Sequence, residues 1–162
     1  MKGMVIDPRG RLKRRWFIYD LILPNIGAVI AILAIRILDL GMVGDLAIGG
    51  IAALLLWSAN FAAPMSRLHD LGAPGWIHLV VVVVVFLLST IGPVSGPGEA
   101  VIRAGDWLSV VRGNDSQVPP VSAEFAQIGA TIGAIQFLVL AFWPGQEGAN
   151  RFGPDPRGEK DS

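Results

Sequence analysis

The sequence has no cysteine and little charge. Among its 162 residues there is consequently no disulfide, thiolate nucleophile or cysteine-ligated metal. Charged residues make up 16% of the chain, below the roughly 25% of a typical soluble domain. Thirteen Lys and Arg balance thirteen Asp and Glu, so no excess of positive charge indicates a nucleic-acid partner. We expect no nucleic acid, no metal and no cofactor.

Apolar residues are abundant instead, at 52% of the chain, with a mean hydropathy of +0.56. A helix needs roughly 20 apolar residues to cross the ~30 Å core of a bilayer. Four stretches meet this length: 17–38, 42–63, 76–95 and 123–143. The sequence therefore predicts an all-α, polytopic membrane protein with four transmembrane helices in an antiparallel bundle. Residues 17–144 form the membrane domain, between a basic N-terminal tail (1–16) and a C-terminal tail (145–162).

The third connection carries a helical pattern of its own. Its apolar residues recur at helical spacing: Val101, Ala104, Trp107, Leu108 and Val111. This spacing predicts a short amphipathic helix at the membrane interface, between the third and fourth spans.

The positive charges predict the orientation of the chain in the membrane. Ten Lys and Arg lie in the two tails and the second connection, whereas only Arg103 and Arg112 lie in the other connections. Short loops rich in Lys and Arg stay in the cytoplasm. We therefore expect a multi-pass protein of the bacterial cytoplasmic (inner) membrane with both termini in the cytoplasm.

Small residues four apart indicate helix-packing faces. Gly129 and Gly133 lie in the fourth span, and Gly49 and Ala53 lie in the second. Such pairs allow the backbones of two helices to approach closely. Their partner is either another span of this chain or another copy of it.

The polar residues of the types that form binding or catalytic sites lie in two segments predicted on the cytoplasmic side. The cluster that we expect there comprises Arg67, His69, Asp70, Trp76, Asn150, Arg151 and Asp155. Arg67 and Asp70 are three residues apart and share a face if the second helix continues past Pro64, so they pair with each other or with Asp155 and Arg151. Trp76 suits an interfacial anchor. The cluster is either a structural clasp between the two segments or a binding site.

Three motifs carry a resemblance to a known family. They are Gly10-Arg11 before the first span, Arg67-Leu68-His69-Asp70-x-Gly72-x-x-Gly75-Trp76, and Gly148-x-Asn150-Arg151-Phe152-Gly153-Pro154-Asp155-Pro156. With them the chain resembles the bacterial inner-membrane family known as domain of unknown function 805. The resemblance implies a small four-span protein and implies no activity. The chain departs from the family pattern at Ser66, at Pro74 and in the long stretch 96–120.

Three classes of function fit these features. The first is a non-catalytic membrane module that binds an anionic phospholipid headgroup or a membrane-protein partner through Arg67, Arg151 and the basic tail. The second is an oligomeric small-solute transporter or channel component. The third is an enzyme acting on a lipid or nucleotide phosphate, with His69 as base, Asp70 orienting it, and Arg67 and Arg151 holding phosphate. We adopt the first and assign no catalytic residue, because the sequence offers no obvious nucleophile except Ser66.

Overall fold

The computed structural model describes residues 4–38, 40–90 and 123–158. All regular secondary structure in these ranges is helical, and no strand occurs in them. The described residues fall into two compact units, one formed by 4–38, 40–79 and 138–158 and the other by 80–90 and 123–137. The larger unit holds every residue of the expected polar cluster.

Helix α1 spans Arg14–Leu38 and begins three residues before the predicted apolar span. It packs against the helix that follows it. Asn25 accepts a hydrogen bond from the Asn60 side chain over 3.0 Å, and a Cβ placed on Gly27 would lie 3.1 Å from Leu55. Residues further along α1 therefore contact residues that lie earlier in the second helix.

The second helix runs without a break through Gly41–Asp70 and so continues past Pro64, beyond the predicted apolar span 42–63. It consists of α2 (Gly41–Trp57), a π-helical turn (Ser58–Ala62) and α3 (Ala63–Asp70). Pro64 follows directly after the π-helical turn, in which the Ala63 N–H donates to Ser58 O five residues earlier, and the helix continues through it. The carbonyl of Asn60, four residues before this proline, accepts a hydrogen bond from His78 Nε2 over 2.7 Å. A neighbouring side chain thus satisfies the acceptor that the proline cannot.

Helices α4 (Trp76–Thr90) and α5 (Ala123–Phe142) complete the described helices. Three helical stretches are long and apolar enough to cross a membrane, namely Arg14–Ile35, Gly41–Asp70 and Glu124–Phe142. The apolar part of α4, Trp76–Leu88, is shorter. The remainder of the predicted third span and the predicted amphipathic helix with Trp107 lie outside the described residues. The regular secondary structure of the described residues is thus helical, and three of its helical stretches are candidate membrane spans.

Residues 4–13, which we call the N-terminal arm, lie along the second helix. The Ser58 hydroxyl donates to Val5 O over 2.7 Å, and Trp57 Nε1 donates to Ile6 O over 3.0 Å. Further along, the Leu12 N–H donates to Ser66 O over 3.2 Å. Leu12 also enters the hydrophobic core of the larger unit, whose buried members are Leu12, Phe17, Ala63, Leu68, Leu140 and Ala141. The arm is therefore an ordered part of this unit.

Candidate functional site

The centre of the site is one carboxylate held between two guanidinium groups. Arg11 donates to Asp70 Oδ1 through Nη2 at 2.9 Å and Nε at 3.1 Å. Arg67 donates to Asp70 Oδ2 through Nη1. The side chains of Arg11, Asp70 and Arg67 are 1%, 4% and 1% exposed. We call this buried group the Arg11–Asp70–Arg67 clasp.

Arg67 also caps the C-terminal end of α5. Its Nε donates to Leu140 O over 2.8 Å, and its Nη2 donates to Trp143 O. The last carbonyls of a helix have no partner within the helix, and they carry partial negative charge that a guanidinium neutralises. The buried Arg67 therefore stabilises α3 and the end of α5 together.

Arg11 connects the clasp to the residues that follow α5, which we call the C-terminal segment (143–158). Its Nη1 donates to Gly148 O over 2.6 Å, and its Nη2 donates to Gln146 O over 2.5 Å. The Gln146 N–H donates in turn to Asp70 O over 2.8 Å. The clasp thus joins three parts of the chain: the N-terminal arm, α3 and the C-terminal segment.

His69 packs flat against the C-terminal segment. Its ring stacks on Phe152 with centroids 4.0 Å apart and planes 9° from parallel. The Arg151 guanidinium lies 4.6 Å from the centroid of the same Phe152 ring. His69 Nδ1 lies 3.2 Å from Gly10 O, so this nitrogen donates to the N-terminal arm. The imidazole therefore acts as a packing surface.

Asn150 and Asp155 hold the turn of the C-terminal segment. Asn150 Nδ2 donates to His69 O over 2.9 Å, and Asn150 exchanges backbone hydrogen bonds of 3.0 Å with Gly153. Asp155 pairs with Arg157 over 2.9 Å and accepts the Gly148 N–H over 2.7 Å. The side chain and backbone N–H of Arg157, followed by the Gly148 N–H, hold the pKa of Asp155 well below its usual range. Asp155 consequently stays ionised as the centre of this turn.

Two glycines allow the C-terminal segment to approach α3 closely. A Cβ on Gly145 would overlap Asp70 Oδ2 and would lie 3.1 Å from Arg67 Nη1. Gly72 has a φ of +79°, and a Cβ there would overlap the Gln146 side chain. Only a residue without a Cβ fits either position.

Six of the predicted cluster residues lie in the clasp, in the C-terminal segment or in the contacts between them, with pairings that the sequence left open: Arg67, His69, Asp70, Asn150, Arg151 and Asp155. Arg67 pairs with Asp70, and Asp155 pairs with Arg157. Arg151 makes no ion pair among the described residues; besides its contact with Phe152, it donates to Gly72 O over 3.4 Å. Trp76 begins α4 and is 60% exposed.

Sequence reasoning did not assign Arg11, Gln146 or Arg157 to the site. Arg11 stood in the Gly10-Arg11 motif, which was the one available signal for it. Gln146 contributes mainly its backbone N–H and carbonyl, and such contacts cannot be predicted from the type of residue. Arg157 lies beyond the last motif residue, Pro156, and no pattern distinguished it from the other arginines.

A cleft of about 250 Å³ opens beside the clasp. We call it the basic cleft, and its lining residues are Lys13, Arg14, Arg15, Arg67, Asp70, Pro144, Gly145 and Arg157. Five of these side chains are cationic and one is a carboxylate. The described residues contain no group of three His, Cys, Asp or Glu side chains able to hold a metal ion. The chemistry that this arrangement offers is the binding of an anion.

Two of the three proposed packing glycines, Gly49 and Gly133, have no close neighbour that the structure describes. A Cβ on Gly49 or Gly133 would meet no described atom within 4 Å. Gly129 is buried and Ala53 is exposed. Their role in helix packing therefore stays a prediction.

Comparison with known proteins places the chain in a family. The model of the family described as "Protein of unknown function (DUF805)" matches residues 5–154, which is nearly the whole sequence. The chain belongs to this family. No curated protein and no solved structure matches it. The DUF805 match begins in the N-terminal arm and ends in the C-terminal segment, so it covers all three parts that the clasp joins.

Proposed function

We propose that this DUF805 protein is a multi-pass protein of the bacterial cytoplasmic membrane with four antiparallel spans. The clasp and both termini then face the cytoplasm. Support comes from the three long apolar helices, from the apolar start of α4 and from the ten Lys and Arg predicted on one side. At 1.5 Å per residue the 30-residue second helix is about 45 Å long, so its Asp70 end extends beyond a ~30 Å hydrocarbon core.

We infer a binding role for the site rather than a catalytic one. The observation that carries this inference is that Arg11, Asp70 and Arg67 are buried and bonded to one another, while His69 packs its ring on Phe152 and bonds the N-terminal arm through Nδ1. The Ser66 side chain, which is 1% exposed, is not available as a nucleophile. In contrast, the side chains of Arg151, Lys13, Arg14 and Arg15 have no ion pair among the described residues and keep donors for an anionic partner.

The proposed activity is therefore that of a non-catalytic membrane module. Its ligand is an anionic phospholipid headgroup, and a membrane-protein partner is the alternative. Each Lys or Arg near an anionic membrane surface contributes roughly 1 kcal/mol of binding free energy, so several cations together give selective retention of anionic lipid.

Purification in native lipid followed by mass spectrometry tests this proposal. An anionic phospholipid that remains bound after the bulk lipid is removed supports headgroup binding. A second protein in stoichiometric amount, without retained lipid, supports the partner form. Retention of neither would contradict the binding role. As a control for non-specific lipid, the same preparation is analysed for zwitterionic phospholipid, which should be lost.

A polar stripe on α5 favours a second candidate, an oligomeric path for a small solute. Glu124, Gln127 and Thr131 line an open surface groove of about 420 Å³ along one face of this helix. Polar side chains inside a membrane span are costly and often mark solute pathways. This candidate is tested by uptake of a small solute into vesicles that contain the protein. Uptake that is lost in Gln127→Leu but kept in Phe142→Leu would support a solute path. Uptake no greater than that of protein-free vesicles would exclude it.

A further inference from the structure

The basic cleft has positive charge without a matching negative charge. Its one carboxylate, Asp70, is already shared by Arg11 and Arg67. Among the described residues, the side chains of Lys13 and Arg14 have neither an ion pair nor a hydrogen bond, although both line the cleft. Charges of one sign repel each other unless an opposite charge lies among them. Three cations that line the cleft, Lys13, Arg14 and Arg15, thus have no acidic partner among the described residues.

The cations at the start of α1 also interact unfavourably with the helix dipole. Helices stabilise acidic residues in their first turn because the helix dipole is positive there. The first turn of α1 contains no acidic residue and instead carries Arg14 and Arg15, directly after Lys13. Cations at this position destabilise the helix. A local conflict of this kind is typical of a functional site.

The position of the cleft along α1 identifies the source of the anion. The apolar surface of α1 begins directly after Arg15, where Trp16 and Tyr19 form an aromatic pair with centroids 6.0 Å apart. Trp and Tyr are enriched at the level of lipid headgroups. Lys13, Arg14 and Arg15 therefore lie at the level where phospholipid phosphates are found.

We propose that the basic cleft binds the phosphate group of one anionic phospholipid headgroup, with Lys13, Arg14 and Arg15 as its primary cationic contacts. This inference rests on the proposed binding function and names the ligand group and the residues that hold it. Arg157 contributes charge from the opposite side, although its guanidinium also bonds Asp155 and Gly145 O. A volume of about 250 Å³ suits a polar headgroup rather than a whole lipid, since pockets for drug-sized ligands are roughly 300–1,000 Å³.

Lipid titration of the full-length protein in detergent, followed by native mass spectrometry, tests the proposal. The wild type should retain one phosphatidylglycerol and little phosphatidylcholine. Arg14→Gln should weaken phosphatidylglycerol binding about fivefold, the factor equivalent to roughly 1 kcal/mol. Arg9→Gln is the matched control: it removes the same charge from an exposed guanidinium that already pairs with Asp7, so binding should stay unchanged.

Thermal melting separates a binding effect from a folding effect. Arg14→Gln should melt at or above the wild-type temperature, because it removes a cation from the positive end of α1. Equal lipid binding by Arg14→Gln and the wild type would overturn this site while leaving the proposed binding function intact. Absence of phosphatidylglycerol on every variant would overturn both. Displacement of the lipid by millimolar inorganic phosphate would identify free phosphate as the ligand and contradict the headgroup assignment.

Discussion

Arg67 joins three parts of the larger unit through a single side chain. One buried guanidinium serves an acid in its own helix, the carbonyls at the end of α5 and, at 3.5 Å, Leu12 O in the N-terminal arm. The planar, forked shape of arginine makes such simultaneous bonding possible, and lysine does not reproduce it. The residue therefore organises contacts between segments far apart in sequence.

Replacement of Arg67 should destabilise the protein strongly. Arg67→Ala leaves Asp70 buried with one partner instead of two and the end of α5 without its cap. Removal of one partner from a buried ion pair typically costs about 3–5 kcal/mol. Arg67→Lys should recover only a small part of this loss. Thermal melting in detergent measures both variants, and wild-type melting of Arg67→Ala would show that the clasp contributes no stability.

Gly145 should tolerate no side chain, even a methyl group. Gly145→Ala would force the new Cβ against the Asp70 carboxylate, so the C-terminal segment must move away from α3. We expect a cost of about 1–3 kcal/mol, as for other overpacked positions. Gly10→Ala is the control, because a Cβ there meets no described atom within 4 Å. Equal melting temperatures of the two variants would contradict the close approach.

The ion pair of Asp155 predicts how the C-terminal segment responds to acid. Because the folded pKa of Asp155 is lowered, its contribution to stability is present above the unfolded pKa of about 3.9. This contribution is lost as the pH falls below that value toward the folded pKa. Hydrogen exchange of residues 145–158 should therefore stay slow from pH 8 to 5, after correction for intrinsic exchange rates, and accelerate below about 4.

Asp155→Asn is the control for this titration. The amide cannot ionise, so exchange in the segment should be faster at neutral pH and should show no further acid-dependent step. An acid-dependent step of wild-type size in Asp155→Asn would assign the effect to another carboxyl group.

At the scale of elements, the second helix shows what local sequence can and cannot predict. Its apolar residues predicted a span, and this part of the prediction agrees with the helix. The predicted apolar span ended at Ala63, and the sequence left open whether the helix continues past Pro64, a residue type that normally interrupts a helix. The helix continues to Asp70. The compensation comes from the π-helical turn and from His78 on α4, which are features of tertiary structure. The sequence around Pro64 does not predict these features.

The role of His78 is testable by a double-mutant cycle with Pro64. His78→Leu leaves Asn60 O without its 2.7 Å partner, and a buried unsatisfied acceptor costs about 1–3 kcal/mol. Pro64→Ala restores an N–H within the second helix that can serve the carbonyl. The cost of His78→Leu should therefore be smaller in the Pro64→Ala background. Additive losses in the double variant would show that His78 acts through other contacts.

At the scale of the whole molecule, the sequence predicted the class of protein better than the site. Runs of apolar residues are local, so helices and membrane character follow from composition and length. Some partners of the arginines lie more than fifty residues away, as in the pairing of Arg11 with Asp70 and the bond from Arg67 to Leu140 O. Two acids and several arginines gave more combinations than spacing could resolve. The motifs located the region, and only the three-dimensional structure assigned the pairs.

Topology is the most direct test of the account, since the binding proposals require the clasp to face the cytoplasm. The chain has no cysteine, so single cysteines can be introduced without background. Positions 41 and 114 are predicted outside; positions 73, 149 and 162 are predicted inside, and Ala149 is exposed in the structure. With an impermeant thiol reagent on intact cells, only positions 41 and 114 should be labelled, and position 149 should react after permeabilisation. Labelling of position 149 in intact cells would place the clasp and the basic cleft outside and contradict the account.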